Sequence, residues 1–302
     1  MNISINHNNF SLSIKIKTKE RFIKEAIEFL AVTNPPWIIK TNVLPDITLH
    51  LKSLSKKNTF FLGGNSRIID SQINRNGAFL IWAPSTGSFI KTDFRKRISK
   101  GEFVPQDPNI ITILRRWINL CILMNYSIKL HSASIRIAKE RTLLLVGGAN
   151  SGKTTLSAIL KRNFSYKIIN DDLSFLVPQK EKIYLFSINF MFFDNSGYLF
   201  NKEIDSVKTT FYGFPRWIFF LKRKKGKNGS KIVSMPSKEA FKKICFYSEF
   251  PLKEGNEKQQ RRLEILSSLI KQCRCFYLIS KEDIKDNPLK LKHLLFPILS
   301  KN

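Results

Sequence analysis

The residues with the clearest chemistry lie in the segment RTLLLVGGANSGKTT, which begins at Arg141. Gly147, four further residues, and then Gly152, Lys153 and Thr154 satisfy the pattern G-x4-G-K-[ST]. In this pattern the glycines let backbone N–H groups curl around phosphates, the lysine reaches the β- and γ-phosphates, and the hydroxyl ligates Mg²⁺. The pattern predicts a nucleoside triphosphate site. The alternative is a glycine-rich turn between a strand and a helix, with a lysine there by chance.

The flanking sequence has the context that such a loop requires. Residues 143–146 (LLLV) predict a short buried strand, and residues 155–162 (TLSAILKR) predict a helix with one apolar face. A helix that begins there directs the positive end of its dipole toward the loop. The predicted phosphate-binding residues are Gly147, Gly148, Ala149, Asn150, Ser151, Gly152, Lys153, Thr154 and Thr155.

Two carboxylates follow a second predicted strand. Residues 166–170 (YKIIN) predict that strand, and Asp171 and Asp172 come at its carboxyl end, where α/β sheets bind ligands. Adjacent acids on a strand point in opposite directions, so we expect one to face the Mg²⁺ shell and the other the reacting γ-phosphate. The alternative is a solvated turn at the end of a strand.

His131 is the third candidate, one of four histidines in the chain. It lies in residues 128–138, which are predicted to form a hairpin with residues 142–146. If these strands are neighbours, His131 lies close to the bound phosphates. A structural histidine on a strand is the alternative.

Three segments together resemble the kinase domain of the HPr serine kinase/phosphorylase family: LHSASIRI, LLLVGGANSGKTTLSAIL and YKIINDDLSFL. That family has a histidine shortly before its phosphate loop and an Asp-Asp pair beyond it. The resemblance extends through PRWIFFLKRK and RRLEILSSLIKQCRCFYLI to the short HPr-kinase-like proteins that accompany peptide-modifying gene clusters, and covers roughly residues 126–280. It implies an α/β fold, a P-loop kinase domain on a mixed β-sheet that is related to phosphoenolpyruvate carboxykinase.

The resemblance also implies a role for each residue. Asp172 would accept the proton of the substrate serine, while Asp171 and Thr154 would hold Mg²⁺. Lys153 would neutralise the phosphates, and His131 would lie near them. The implied cofactors are ATP and Mg²⁺, and the implied substrate is a small protein or a ribosomally synthesised peptide.

The chain departs from the family at two places. The family carries a metal-binding glutamate in a glycine-rich stretch after the second acid, whereas residues 186–200 contain no glutamate and Asp194 is the nearest acid. The family's downstream arginine loop, used in phosphorolysis, is also missing. Phosphorylase activity is therefore not expected, and HPr itself is in doubt as the substrate.

The rest of the chain predicts three parts. Residues 1–105 predict a small, strand-rich α+β domain of unknown role, and residues 106–125 predict a buried helix that connects the two halves. The helix begins at Asp107 and Pro108, a capping carboxylate followed by a proline suited to the first turn. Residues 126–302 predict the kinase domain.

The net charge of +28, from 51 Lys and Arg against 23 Asp and Glu, is compatible with an acidic partner, a nucleic acid or a membrane surface. The basic residues are nevertheless spread along the whole chain, and Lys, Asn, Ile and Phe are all abundant, as in AT-rich coding sequences. The densest basic run, residues 221–231, predicts a hairpin tip. This tip is either solvated or in contact with an acidic substrate or a nucleic acid.

Four cysteines are too few for a disulfide framework at this length, and Cys273 and Cys275 predict buried structural thiols rather than a metal site. No secretory signal and no apolar run long enough to span a membrane is visible. We therefore expect a cytoplasmic protein.

Three other functions remain compatible with these patterns. They are a P-loop ATPase that binds a nucleic acid or an acidic protein, a module that holds nucleotide without turning it over, and a kinase of a small metabolite. Oligomer formation is left open.

Overall fold

A computed structural model describes residues 2–7, 10–33, 37–39, 47–53, 69–71, 78–83, 86–105, 107, 109–124, 128–138, 141–171, 173–179, 182–186, 192–194, 197–199, 212–226, 229–249 and 256–300. The chain divides into two compact units, Met1–Asn125 and Tyr126–Asn302. Both are mixed α/β structures built on mixed sheets.

The first unit contains strands β1 (Asn2–His7), β2 (Phe10–Lys17), β3 (Trp37–Ile39), β4 (Ile47–Ser53), β5 (Ile69–Ser71), β6 (Ala78–Trp82), β7 (Phe89–Asp93) and β8 (Ile98–Phe103). Its helices are α1 (Arg21–Thr33) and α2 (Ile110–Met124). Within the described residues, the strands form one sheet in the order β3-β1-β2-β4-β8-β7-β6-β5. The β2–β4 and β4–β8 pairs are parallel.

Helix α2 is anchored within the first unit by Trp117. This side chain is fully buried, and its indole N–H lies 2.8 Å from Thr92 Oγ1 and 3.1 Å from Ser99 Oγ, on β7 and β8. Before the helix, the Asp107 carboxylate accepts the backbone N–H of Asn109 at 2.7 Å. The helix expected at residues 106–125 thus begins at Ile110 and packs on the sheet of this unit.

The second unit begins with strands β9 (Ile128–Arg136) and β10 (Arg141–Val146), followed by helix α3 (Lys153–Phe164). Then come β11 (Lys167–Asn170), β12 (Leu173–Gln179), β13 (Lys182–Phe186), β14 (Phe192–Asp194), β15 (Gly197–Leu199), β16 (Tyr212–Arg223) and β17 (Lys231–Ser234). The remaining elements are α4 (Ser237–Phe246), β18 (Ser248–Glu249), α5 (Asn256–Gln272), β19 (Arg274–Ser280), α6 (Asp283–Asp286) and α7 (Pro288–Leu299).

The main sheet of the second unit contains nine strands among the described residues. The main path is β10-β9-β12-β13-β16-β19-β17, with β11 and β18 also paired to β9, and with β10 and β16 paired in parallel. The predicted hairpin is confirmed, because β9 and β10 pair antiparallel. The short strand predicted before Asp171 is confirmed as β11.

The prediction of a hairpin at residues 221–231 is wrong. β16 and β17 do not pair with each other, because β19 lies between them, parallel to β16 and antiparallel to β17. β16 and β17 are therefore joined across the carboxyl end of β19, a strand that comes some fifty residues later in the chain.

The apolar residues of β10 are buried on both faces of the sheet, as expected of a strand with an unbroken apolar run. Leu144 and Val146 belong to one core cluster, which includes residues of α4 and α5. Leu143 and Leu145 belong to another, which includes residues of α3 and α7. The sheet is thus covered by helices on both faces, and the loop that follows Val146 emerges at its edge.

Among the described helices, none combines the length and the apolar character that a membrane span requires.

Candidate active site

The loop of residues 147–152 joins the buried end of β10 to the first turn of α3. A side chain at Gly147 would clash, because an added Cβ would lie 2.5 Å from Ser151 Oγ and 2.9 Å from Ser151 Cβ. Asn150 and Gly152 have positive φ angles of 59° and 96°. The glycines at positions 147 and 152 thus fit, respectively, a close approach within the loop and a left-handed backbone.

Lys153 is the first residue of α3, and its side chain, which is 7% exposed, is surrounded by this loop. Its ammonium donates hydrogen bonds to the carbonyl oxygens of Gly147 at 2.9 Å and Gly148 at 3.0 Å. A buried charge requires such partners, and these two hold the loop around the lysine side chain. The arrangement puts a positive charge at the centre of the loop.

The start of helix α3 is suited to an anion. The Gly152 cap contributes no side-chain hydrogen bond, and the first turn holds no acidic residue. The first intrahelical bond runs from Leu156 N–H to Gly152 O at 2.9 Å, so the preceding N–H groups of the helix start have no helical acceptor. Thr154 and Thr155, in this first turn, are exposed. These groups and the helix dipole favour a negatively charged ligand at this end.

Three strands end at the same edge of the sheet as the loop, and a fourth strand, β11, is interrupted close to that level before β12 continues along β9. β10, β16 and β19 are parallel neighbours, and β11 shares their direction because β10 and β11 run antiparallel to β9 on its two sides. With strands about 4.8 Å apart, the ends of β10 and β11 are about 10 Å apart. The carboxyl edge of parallel strands is where α/β folds bind ligands.

His131 lies beside the start of the loop. Ser132 pairs with Val146, the last residue of β10, and the next register position places His131 level with Gly147. The His131 backbone N–H instead donates to Tyr247 O at 3.1 Å. The segment at Tyr247 thus takes the place of β10 beside β9 from His131 onward. His131 is half-buried at this position.

Asp171 lies at the same level on the other side of β9. β11 ends at Asn170, which pairs with Ser134, and β12 begins to pair with β9 at His131. Asp171 follows Asn170 and is 8% exposed. The chain therefore departs from β9 at Asp171, close to the level at which β10 ends. The loop, His131 and Asp171 are thus brought to one region of the sheet edge. Asp172, the predicted proton acceptor, lies outside the described residues.

A buried polar network joins the strands around this turn. The Asn170 amide donates to Ser174 Oγ at 2.8 Å and to Ser134 Oγ, and the Ser132 and Ser174 hydroxyls are hydrogen bonded at 2.7 Å. All four side chains are fully buried. The network connects β9, β11 and β12, and so restrains both strands that flank the turn begun by Asp171.

No family model matches the sequence, and no curated protein matches it. Among solved structures, the chain is similar to the HPr(Ser) kinase/phosphatase from Coxiella burnetii. The sequences are 13% identical and the TM-score is 0.36, over 57% of this chain and 97% of that chain. At this identity and TM-score the similarity is a distant one.

The cysteines do not contribute to this site. Cys273 and Cys275 are free thiols packed against the core, and burial raises the pKa of Cys275 to about 12, which keeps the thiol protonated. Within the described part of the chain, no cluster of three His, Cys, Asp or Glu side chains is positioned to hold a metal ion. Mg²⁺ is commonly bound by one or two side chains together with substrate phosphates, and does not require such a cluster.

Sequence reasoning missed the Asn170 network. The signal was present as Ser132 and Ser134 at alternate positions of an otherwise apolar strand, because two hydroxyls on a buried face must find partners. Which partners they find depends on the strand that pairs with β9. The sequence does not state that pairing.

Proposed function

We propose that this chain is an ATP-dependent phosphotransferase that phosphorylates a hydroxyl group of a small protein or peptide. The observation that carries the proposal is the shared sheet edge of the glycine loop, His131 and the turn begun by Asp171. A phosphate loop alone indicates nucleotide binding, whereas acids beside it supply what transfer onto a hydroxyl needs.

The loop fits a triphosphate. Gly147 allows Ser151 to pack closely against it within the loop, and the start of α3 presents N–H groups without a side-chain cap. The Ser151 hydroxyl oxygen is buried and has no hydrogen-bond partner among the described residues, so a phosphate oxygen can supply one. Lys153 supplies the positive charge, and its two carbonyl contacts can be exchanged for phosphate oxygens.

The residues present also fit Mg²⁺. Thr154 offers an exposed hydroxyl at the helix start, and Asp171 offers a carboxylate at the same sheet edge. We propose these two side chains as protein ligands, since Mg²⁺ bound to ATP takes few protein ligands and keeps several waters. When bound, the ion would neutralise charge on the transferring phosphate.

The protein's own residues would then perform the transfer as follows. The substrate hydroxyl loses its proton to Asp172 as its oxygen bonds to the γ-phosphorus, and the bond to the β-phosphate oxygen breaks to release ADP. Lys153 offsets the charge that collects on the β- and γ-phosphates, and His131 contacts the phosphates from the neighbouring strand. Positioning and charge neutralisation account for most of the rate enhancement in such reactions.

The test is transfer of radiolabelled γ-phosphate from ATP to candidate peptides encoded beside this gene, with mass spectrometry to locate the modified residue. We expect Lys153→Ala to weaken ATP binding by tenfold or more, as loss of about 1.4 kcal/mol or more of charge neutralisation would. The matched control is Arg162→Ala, an exposed cation in the last turn of the same helix. Unchanged turnover in Lys153→Ala would place the nucleotide elsewhere, and ATP hydrolysis without any phosphorylated peptide would reduce the protein to an ATPase.

A further inference from the structure

The carboxyl edge of the sheet carries a dense positive charge next to the candidate site. Lys222 and Arg223 end β16, the parallel neighbour of β10, and Lys224 and Lys225 follow them out of the sheet. All four side chains are exposed, and none forms an ion pair with a carboxylate of the described residues. We call these four residues the basic edge.

The basic edge adjoins the loop directly. Val146 pairs with Phe220, so Lys222 lies two residues beyond the level of Val146, the last residue before the loop. An added Cβ at Gly147 would lie 3.4 Å from Leu221 Cβ, so the loop and strand β16 are in contact there. A ligand held by the basic edge therefore lies within about 10 Å of the loop, or two strand spacings.

The segment that continues from the basic edge is held in place by the next strand. The Lys224 N–H donates to Ser280 O at 2.9 Å, and the Glu282 N–H donates to Gly226 O at 3.3 Å. Ser230 donates through its hydroxyl and its N–H to the buried Asp283 carboxylate, and accepts the Lys281 N–H at 2.8 Å. The charges thus stand on a fixed backbone rather than on a free loop.

We propose that the basic edge binds an acidic segment of the phosphoacceptor peptide, and so determines the class of substrate. This inference rests on the proposed function. The four cationic positions span about 10 Å, the length of three or four residues of an extended peptide. We therefore expect acidic residues within a few positions of the phosphorylated hydroxyl.

Two features favour a peptide over a nucleic acid. No aromatic side chain is interleaved with these four cations, as the stacking of successive bases would require; the exposed phenylalanines among the described residues, Phe246 and Phe296, lie on α4 and α7. The four charges also lie on consecutive residues, an arrangement that matches a short acidic segment of peptide.

The experiment measures binding, so that it does not depend on catalysis. A fluorescent serine peptide flanked by glutamates is compared with its glutamine-flanked twin, on the full chain at low salt, by anisotropy. We expect the glutamate peptide to bind about tenfold more tightly, with the difference shrinking as salt rises. Lys224→Gln combined with Lys225→Gln should remove most of that preference. The matched control, Lys238→Gln combined with Lys242→Gln, removes two exposed lysines from α4 and should leave it intact.

The charge-reversed variant Lys224→Glu with Lys225→Glu should instead prefer a lysine-flanked peptide. Equal affinity for both peptides, or equal loss in the α4 control, would overturn the inference. The inference would also be overturned if an oligonucleotide bound more tightly than the peptide through the same two lysines. It would be overturned as well if the Lys224→Gln, Lys225→Gln variant had a raised Kd for ATP and an unchanged Kd for the peptide. Failure of phosphate transfer with the binding preference intact would count against the proposed function, and would leave the basic edge as a binding site for acidic peptides.

Discussion

The side-chain amide of Asn170 donates a hydrogen bond to the Ser174 hydroxyl at 2.8 Å, and so links the two strands on either side of the turn begun by Asp171. Both side chains are fully buried. The position of the Asp171 carboxylate relative to the loop therefore depends on a contact that itself lies within the sheet.

We expect Asn170→Ala to lower the free energy of unfolding by about 2 kcal/mol, because two buried serine hydroxyls lose their amide partner. If the network also positions the acids, transfer should slow by tenfold or more while the Kd for ATP changes little. Denaturant unfolding and single-turnover transfer measure the two effects. Asn163→Ala is the control, since the Asn163 side chain donates to Ile159 O at an exposed position and its loss should change stability by less than about 0.5 kcal/mol. Parallel changes in kcat and in the Kd for ATP would assign Asn170 a purely structural role.

The two adjacent glycines of the loop should respond differently to alanine. An added Cβ at Gly147 would lie 2.5 Å from Ser151 Oγ, whereas at Gly148 it would meet nothing within 4 Å. Gly147→Ala should therefore shift the loop, lower the thermal stability of the free protein and weaken ATP binding by tenfold or more. Gly148→Ala should leave the stability of the free protein unchanged. Calorimetry and nucleotide titration compare them, and equal stability of the two variants would contradict this loop geometry.

The two acids should be separable by substitution. Asp172→Asn removes the proposed proton acceptor and should abolish transfer while ATP binding stays largely intact. Asp171→Asn should instead raise the Mg²⁺ concentration needed for half-maximal transfer. The measurement is the transfer rate as a function of Mg²⁺ at saturating ATP. Full kinase activity in Asp172→Asn would refute the assignment of the base.

The buried Asp283 carboxylate should make stability depend on pH. Burial opposes its ionisation, but hydrogen bonds from the Ser230 hydroxyl and N–H, together with the Lys290 charge and the Gly229 N–H, hold its pKa below the usual range. A carboxyl with a lowered folded-state pKa stabilises the fold above its unfolded pKa of about 3.9, and loses that effect as pH falls through the folded value. Asp283→Asn should thus be less stable than the unsubstituted chain by about 1–2 kcal/mol at pH 7.

That difference should shrink below about pH 4, where the unfolded chain begins to take up a proton at this carboxyl while the folded chain does not. Thermal unfolding of both proteins between pH 7 and pH 3 measures it. Asp286→Asn, at an exposed position of the same short helix, should show no such dependence. A stability difference that stays constant down to pH 3 would contradict the role given to the ionised carboxylate.

Much of the candidate site could be predicted from the sequence because its parts are local. The loop, the buried strand before it and the helix after it are consecutive residues, and glycines, an apolar run and helical periodicity signal each of them. The β9–β10 hairpin and the short strand before Asp171 were predictable for the same reason.

The basic run at residues 221–231 shows where such reasoning ends. Two strand-like segments joined by glycines and asparagine predict a hairpin, yet β19 pairs between them. That strand is supplied by residues 274–280, and no local pattern in the basic run encodes its arrival. The insertion places Lys281 beside Gly226 and holds the segment that continues from the basic edge, the surface proposed to bind the peptide.

The sequence by itself determined the chemistry available to this protein: a glycine loop with a lysine, two adjacent acids and a histidine, each on or next to a predictable strand. Only the tertiary structure decided that β10, β16 and β19 end at one edge, and that His131 and Asp171, on β9 and between β11 and β12, lie close to the level of the start of the loop. The reason is that strand pairing is set by hydrogen bonds and buried faces between residues far apart in the chain, which local propensity does not specify.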